Sequence, residues 1–163
     1  MKQVLIFIFF AAFLSFGMTS CGDEAAKATG STNEGAHAED VAIAKDLETA
    51  VFKQMMSDGK FEAIDVRAPK ERLSDNIYTK VGKPYGFIPG TPHNFNWKDG
   101  ADFKAGLAKL DKSKAYGVYC GSGNRSGKAM AAMHKMGFKE VYNLAGGMKG
   151  WHQAGNAVEV VEK

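Results

Sequence analysis

From Asp46 onward, apolar and polar positions switch between a helical period and a strand period. Leu47, Ala50, Val51, Met55 and Met56 fall near helical spacing within Asp46–Asp58, and Gly59 follows as a stop. Phe61 to Val66 is polar and apolar by turns, as a short strand is. From Ala68 to Pro92 the chain carries Pro69, Gly82, Pro84, Gly86, Pro89, Gly90 and Pro92, which predicts a loop with at most a short helix near Lys70–Leu73. Asp102–Leu110 aligns Phe103, Leu107 and Leu110 on one helical face, and Ala115–Cys120 reads as a buried strand. A Gly-rich turn, Gly121–Asn124, leads into a helix over Ser126–Met136, with Ala129, Met130, Met133 and Met136 on one face and Gly137 just past its end. Glu140–Leu144 is another strand, Gly146-Gly147 a turn, Met148–Ala154 a short helix, and Ala157–Val161 a final extended piece. Strands and helices in this order predict an α/β domain, residues 40–163, with a mainly parallel central sheet flanked by helices. Sites in that architecture form beyond the C-terminal ends of strands, where Asp65-Val66-Arg67 and Cys120 both fall.

Ahead of this domain the pattern changes. One Lys, an apolar run from Val4 to Leu14 and then mostly small residues make the layout of a secretory signal peptide over residues 1–20. A spanning helix competes with that reading, but a bilayer takes about 20 residues to cross and the run is slightly short. Met18-Thr19-Ser20-Cys21 resembles the bacterial lipobox, which implies a diacylated Cys21 and a membrane anchor at the bacterial cell envelope, periplasmic side or outer membrane. Ordinary cleavage and a retained anchor are the alternatives. Residues 22 to 39 hold no aromatic and no large aliphatic residue, so segment 21–39 is expected to be a flexible tether.

Composition narrows the classes of function. Removing residues 1–20 takes away one Lys and no acid, so the formal charge of +3 becomes about +2. That charge is too small and too interspersed for a nucleic-acid footprint. The chain has 2 cysteines. With Cys21 acylated, Cys120 is a lone thiol in an exported protein, where cysteines are usually paired or absent. A buried inert cysteine and a Cys21 to Cys120 disulfide are the competing explanations.

The neighbours of Cys120 favour chemistry. Gly121 and Gly123 let the backbone curl, so that successive N–H groups through Ser122 and Asn124 can point inward beside a helix start at Arg125-Ser126. Such a nest carries positive partial charge, and Arg125 adds a full one. Both lower a thiol's pKa from about 8.5 toward the neutral range, which makes a nucleophile. They would also stabilise a persulfide anion or an oxyanion substrate. No histidine has companions at ligand spacing, so no metal site and no cofactor are expected. The methionines are expected in the core.

The chain from about Val41 to Val161 resembles the rhodanese domain. Asp65-Val66-Arg67 is similar to the family's strand-end signature, Gly86-Phe87-Ile88-Pro89-Gly90-Thr91 to its Gly-His-Ile-Pro-Gly-Ala motif, and Cys120–Ser126 to its active-site loop. Leu144-Ala145-Gly146-Gly147-Met148-Lys149-Gly150-Trp151 resembles the closing turn and helix. The resemblance implies a sulfurtransferase in which Cys120 takes sulfane sulfur from a donor such as thiosulfate and passes it to a thiol or cyanide. Gly121, Ser122, Gly123, Asn124 and Ser126 would surround the sulfur, and Arg125 would draw in a small anionic donor. Asp65 and Arg67 would support the loop as an ion pair. The gap between Cys120 and Arg125 resembles the sulfurtransferase loop, one residue shorter than that of related phosphatase domains. A monomer is expected. Two departures stand out: Phe87 replaces the family's His, whose role is absent or moved to His93, and Leu73–Tyr85 lengthens the segment before Gly86.

Overall fold

The computed structural model describes residues 42–163. The expected signal peptide, the Cys21 lipid site and the tether at 21–39 lie outside the described residues. Seven strands and four helices run in the order β1 (Ile43–Leu47), α1 (Thr49–Ser57), β2 (Glu62–Asp65), β3 (Ile77–Tyr78), β4 (Lys83–Pro84), β5 (His93–Asn94), α2 (Gly100–Leu107), β6 (Ala115–Tyr119), α3 (Asn124–Lys135), β7 (Glu140–Leu144) and α4 (Gly147–Gln153). A 3-10 turn, Pro69–Arg72, follows β2.

Five strands form one sheet in the order β1-β7-β6-β2-β5, every pair parallel. Alternation along each strand sends side chains to opposite faces. On one face Ile64, Val66, Tyr116, Val118 and Val141 pack against Phe103 and Leu107 of α2 and Ala129 and Met133 of α3. On the other, Leu47, Ala63, Tyr119 and Leu144 meet Phe52 of α1 and Met148 and Trp151 of α4. The mainly parallel sheet between helices is therefore as the spacing predicts, and Met130, Met133 and Met136 serve the core.

Two elements differ from the sequence reading. Asp46 and Leu47 belong to β1, not to the first helix, which begins at Thr49 after an extended Glu48. β1 is an edge strand with only Leu47 buried, so it lacks the alternation that marks a strand, and its pairing to β7 is long-range. The expected loop before Pro92 contains a small antiparallel hairpin, β3–β4, with Ile77 opposite Pro84. The extended C-terminal piece straps the segments on either side of it: Phe87 and Glu159 exchange backbone hydrogen bonds of 2.7 and 2.9 Å, and Leu73 bridges Val161.

Candidate active site

Cys120 follows directly on β6 and is 1% exposed. The next residues turn sharply because Gly123 takes φ +86°, and a Cβ there would run into the Ala145 carbonyl. α3 starts at Asn124, two residues earlier than its periodicity suggests, so Asn124 and Arg125 lie in its first turn. This brings Ser122, Arg125 and Ser126 around the sulfur. Burial alone would push the thiol up. Hydrogen bonds from the Ser126 hydroxyl and from the backbone N–H groups of Ser126, Ser122 and Arg125 outweigh it, and the Cys120 thiol sits below its ordinary value. The Ser126 Oγ lies 3.4 Å from Sγ and 3.1 Å from the Gly123 carbonyl. A hydroxyl has one proton, so it donates to sulfur when the thiolate forms and can return to the carbonyl otherwise.

The cradle keeps its shape because its carbonyls are held outward. Met148 N–H donates to the Cys120 oxygen at 2.8 Å, and Lys149 N–H to the Gly121 oxygen at 3.0 Å. With those carbonyls tied to the first turn of α4, the adjoining N–H groups are free to face the sulfur. Gly147 permits the close approach: its φ is +53°, and a Cβ would stand 2.6 Å from both the Cys120 oxygen and the Ser122 nitrogen. From the other side, Asn143 donates to Asp46 at 2.8 Å and to the Gly123 oxygen at 3.3 Å.

Arg125 folds back over the loop, its Nη2 lying 3.3 Å from where a Gly121 Cβ would be. Glu71 grips it with two bonds of 2.6 and 2.8 Å. That pair raises the Arg125 guanidinium further and, with burial opposing, holds the Glu71 carboxyl below its ordinary range. Sequence reading missed Glu71; its one sign is the Pro69-Lys70-Glu71 spacing after Ala68, an acid poised to receive the Ala68 N–H at 3.1 Å. Arg125's charge is thus partly offset by Glu71, while its guanidinium still reaches the Cys120 sulfur as a hydrogen-bond donor and a charge.

Asp65 and Arg67 form a buried ion pair of 2.7 Å, both residues being wholly buried. Arg67 also reaches the Gly86 and Glu71 carbonyls. The pair thus braces the segment that carries Glu71. Arg72 lies 3.8 Å over the Phe87 ring. His93 bonds Glu62 at 3.1 Å, at the end of β2 away from Asp65, so it does not replace the missing histidine. A cleft of about 450 Å³ lined by Lys53, Met56, Phe61, Ile88 and Trp151 lies apart from Cys120.

A parallel sheet that ends in a thiolate held by backbone donors defines a class: an α/β domain built around a nucleophilic cysteine in an anion cradle. The Rhodanese-like domain family matches residues 48–154, and the chain belongs to it. A protein of Bacillus subtilis (strain 168) with a sulfurtransferase name, YtwF, is 32% identical over 108 residues, covering 66% of this chain and 89% of that one. A Mycobacterium tuberculosis protein with an adenylyltransferase/sulfurtransferase name, MoeZ, is 44% identical over 46 residues, 28% of this chain and only 12% of that protein. Solved structures that share the fold include the following two. A rhodanese-like domain protein of Staphylococcus aureus has a TM-score of 0.53 at 23% identity, with 71% of this chain and 98% of that one covered. The polysulfide-sulfur transferase homodimer of Wolinella succinogenes has 0.52 at 24%, with 76% and 80% covered.

Proposed function

We propose that the protein is a sulfurtransferase working through a Cys120 persulfide. The observation that carries this reading is the cradle of N–H donors and one hydroxyl around Cys120 Sγ. The thiolate attacks the sulfane sulfur of a small anionic donor such as thiosulfate. The S–S bond of the donor breaks, its electron pair leaves with sulfite, and the new terminal sulfur stays as an anion in reach of the same donors. A thiolate or cyanide acceptor then attacks that sulfur, and the electron pair returns to Cys120. Sulfur rides on the protein, so the cycle calls on no cofactor and no metal. The short loop from Cys120 to Arg125 fits a single sulfur better than a phosphoryl group.

Thiosulfate to cyanide turnover in wild type and Cys120→Ser, beside a phenyl phosphate control, tests this. Turnover that vanishes in the variant, with no phosphate release, is expected; undiminished turnover in Cys120→Ser would refute it. A persulfide that forms without turnover would point to a sulfur-carrier module, the second reading. The Met18–Cys21 pattern supports a lipid anchor on Cys21 and a place in the bacterial envelope, with residues 21–39 as the tether to a monomeric domain. Loss of membrane fractionation in Cys21→Ser is the expected result, and an unmodified native Cys21 would contradict it.

A further inference from the structure

The hairpin between Glu71 and Gly86 is tied to the rim of the site. The Asn76 amide donates to the Glu71 carbonyl at 2.9 Å, and Tyr85 N–H donates to the Asn76 carbonyl at 2.7 Å. Tyr78 points inward, its ring 4.8 Å from Tyr85 and 5.3 Å from His152. By alternation Ile77 points outward and is 45% exposed. Val81, in the turn, is 38% exposed, and Val161, which the Leu73 bridge seats beside the hairpin's start, is 43% exposed. Few other large aliphatic side chains of the described residues are so open.

Exposed charge around this patch is more basic than acidic. Asp65, Glu71 and Asp75 are all spent on Arg67, Arg125 and Lys163. Lys70, Lys80 and Lys83 are exposed and have no carboxylate partner among the described residues, nor does Lys149, whose backbone holds the Cys120 loop. Glu159 and Glu162 of the strap are the opposing exposed acids, and the lysines outnumber them.

We propose that this patch, Ile77 and Val81 with Val161 ringed by Lys70, Lys80 and Lys83, is the docking surface for the sulfur acceptor. The acceptor is an acidic protein segment that carries its thiol beside an apolar side chain. This rests on the persulfide reading above. A small thiol needs no such surface, and a second copy would set lysine against lysine, which disfavours pairing. A thiol-bearing segment is favoured over an anionic lipid surface because the hairpin that carries the patch is tied through Asn76 and Glu71 to Arg125 of the Cys120 loop.

The test loads the full chain with thiosulfate and measures transfer to three synthetic cysteine peptides of equal length, each with one leucine beside the cysteine and otherwise Glu-rich, neutral or Lys-rich. Transfer to the Glu-rich peptide should be about tenfold faster than to the Lys-rich one at low salt, and the gap should close as salt rises. It should invert in Lys80→Glu/Lys83→Glu, a comparison that cancels the peptides' own differences in thiol acidity. Ile77→Ser/Val81→Ser should slow every peptide, while discharge to cyanide stays unchanged in all variants. Equal rates for the three peptides, with cyanide discharge intact, would overturn the docking proposal alone. Charge-dependent binding to anionic phospholipid vesicles without peptide discrimination would overturn it in favour of a lipid surface. Absence of any persulfide would instead overturn the sulfur-transfer reading, and this one with it.

Discussion

At the scale of single residues, reactivity at Cys120 is a contest between burial, which opposes the thiolate, and hydrogen bonding, which favours it. Because bonding wins, the thiolate persists below the pH at which a free thiol, with a pKa of about 8.5, would be protonated. The rate of alkylation against pH should therefore show a midpoint under the free-thiol value. Removing the Ser126 hydroxyl, 3.4 Å from sulfur, should move that midpoint upward in Ser126→Ala. A midpoint that does not move would assign the effect to the amides and Arg125. The cysteine, the loop and Arg125 were legible in the sequence because glycine, cysteine and arginine each answer to a local requirement. Glu71 was not, since a carboxylate that grips an arginine far along the chain leaves no local pattern. Replacing it, as in Glu71→Ala, should free Arg125 and slow persulfide formation about tenfold, roughly what one charge-assisted hydrogen bond is worth. Stopped-flow donor consumption would read this.

Among the elements, the reactive loop depends on neighbours more than on its own residues. The first turn of α4 holds its carbonyls, and Asn143 on β7 joins it to Asp46 on β1. Gly147→Ala would force a side chain into a backbone at φ +53° and against the Cys120 carbonyl. The left-handed backbone alone costs about 1–3 kcal/mol. Denaturant unfolding should show that loss, and the alkylation midpoint should rise because the cradle is displaced. Phe52 of α1 is fully buried, and Phe52→Ala should cost about 3–5 kcal/mol while leaving the midpoint in place. Helices and central strands could be read from periodicity because their buried faces repeat. β1 could not, because four of its five residues are exposed and its only signal is a partner far along the chain. The β3–β4 hairpin was hidden for a related reason: two-residue strands among prolines and glycines carry no period.

For the molecule as a whole, the carboxylate that grips Arg125 also ties stability to pH. Glu71 has a folded-state pKa below the ordinary 4.5, through Arg125 acting against burial. Its contribution to stability is complete above about pH 4.5 and is lost as pH falls through the lower folded value. Unfolding free energy should hold steady above that pH and fall below it, and Glu71→Gln should flatten part of the fall. Fold class was visible in the order of strands and helices, whereas the C-terminal strap arises from pairings with Leu73 and Phe87, far along the chain. The central claim is that Cys120 takes up one sulfur atom. Intact-protein mass spectrometry after brief exposure to thiosulfate tests it most directly. The expected result is a gain of one sulfur on wild type, located to Cys120, removed by cyanide and absent in Cys120→Ser. A wild-type mass that does not change, or the same gain in Cys120→Ser, would contradict the account.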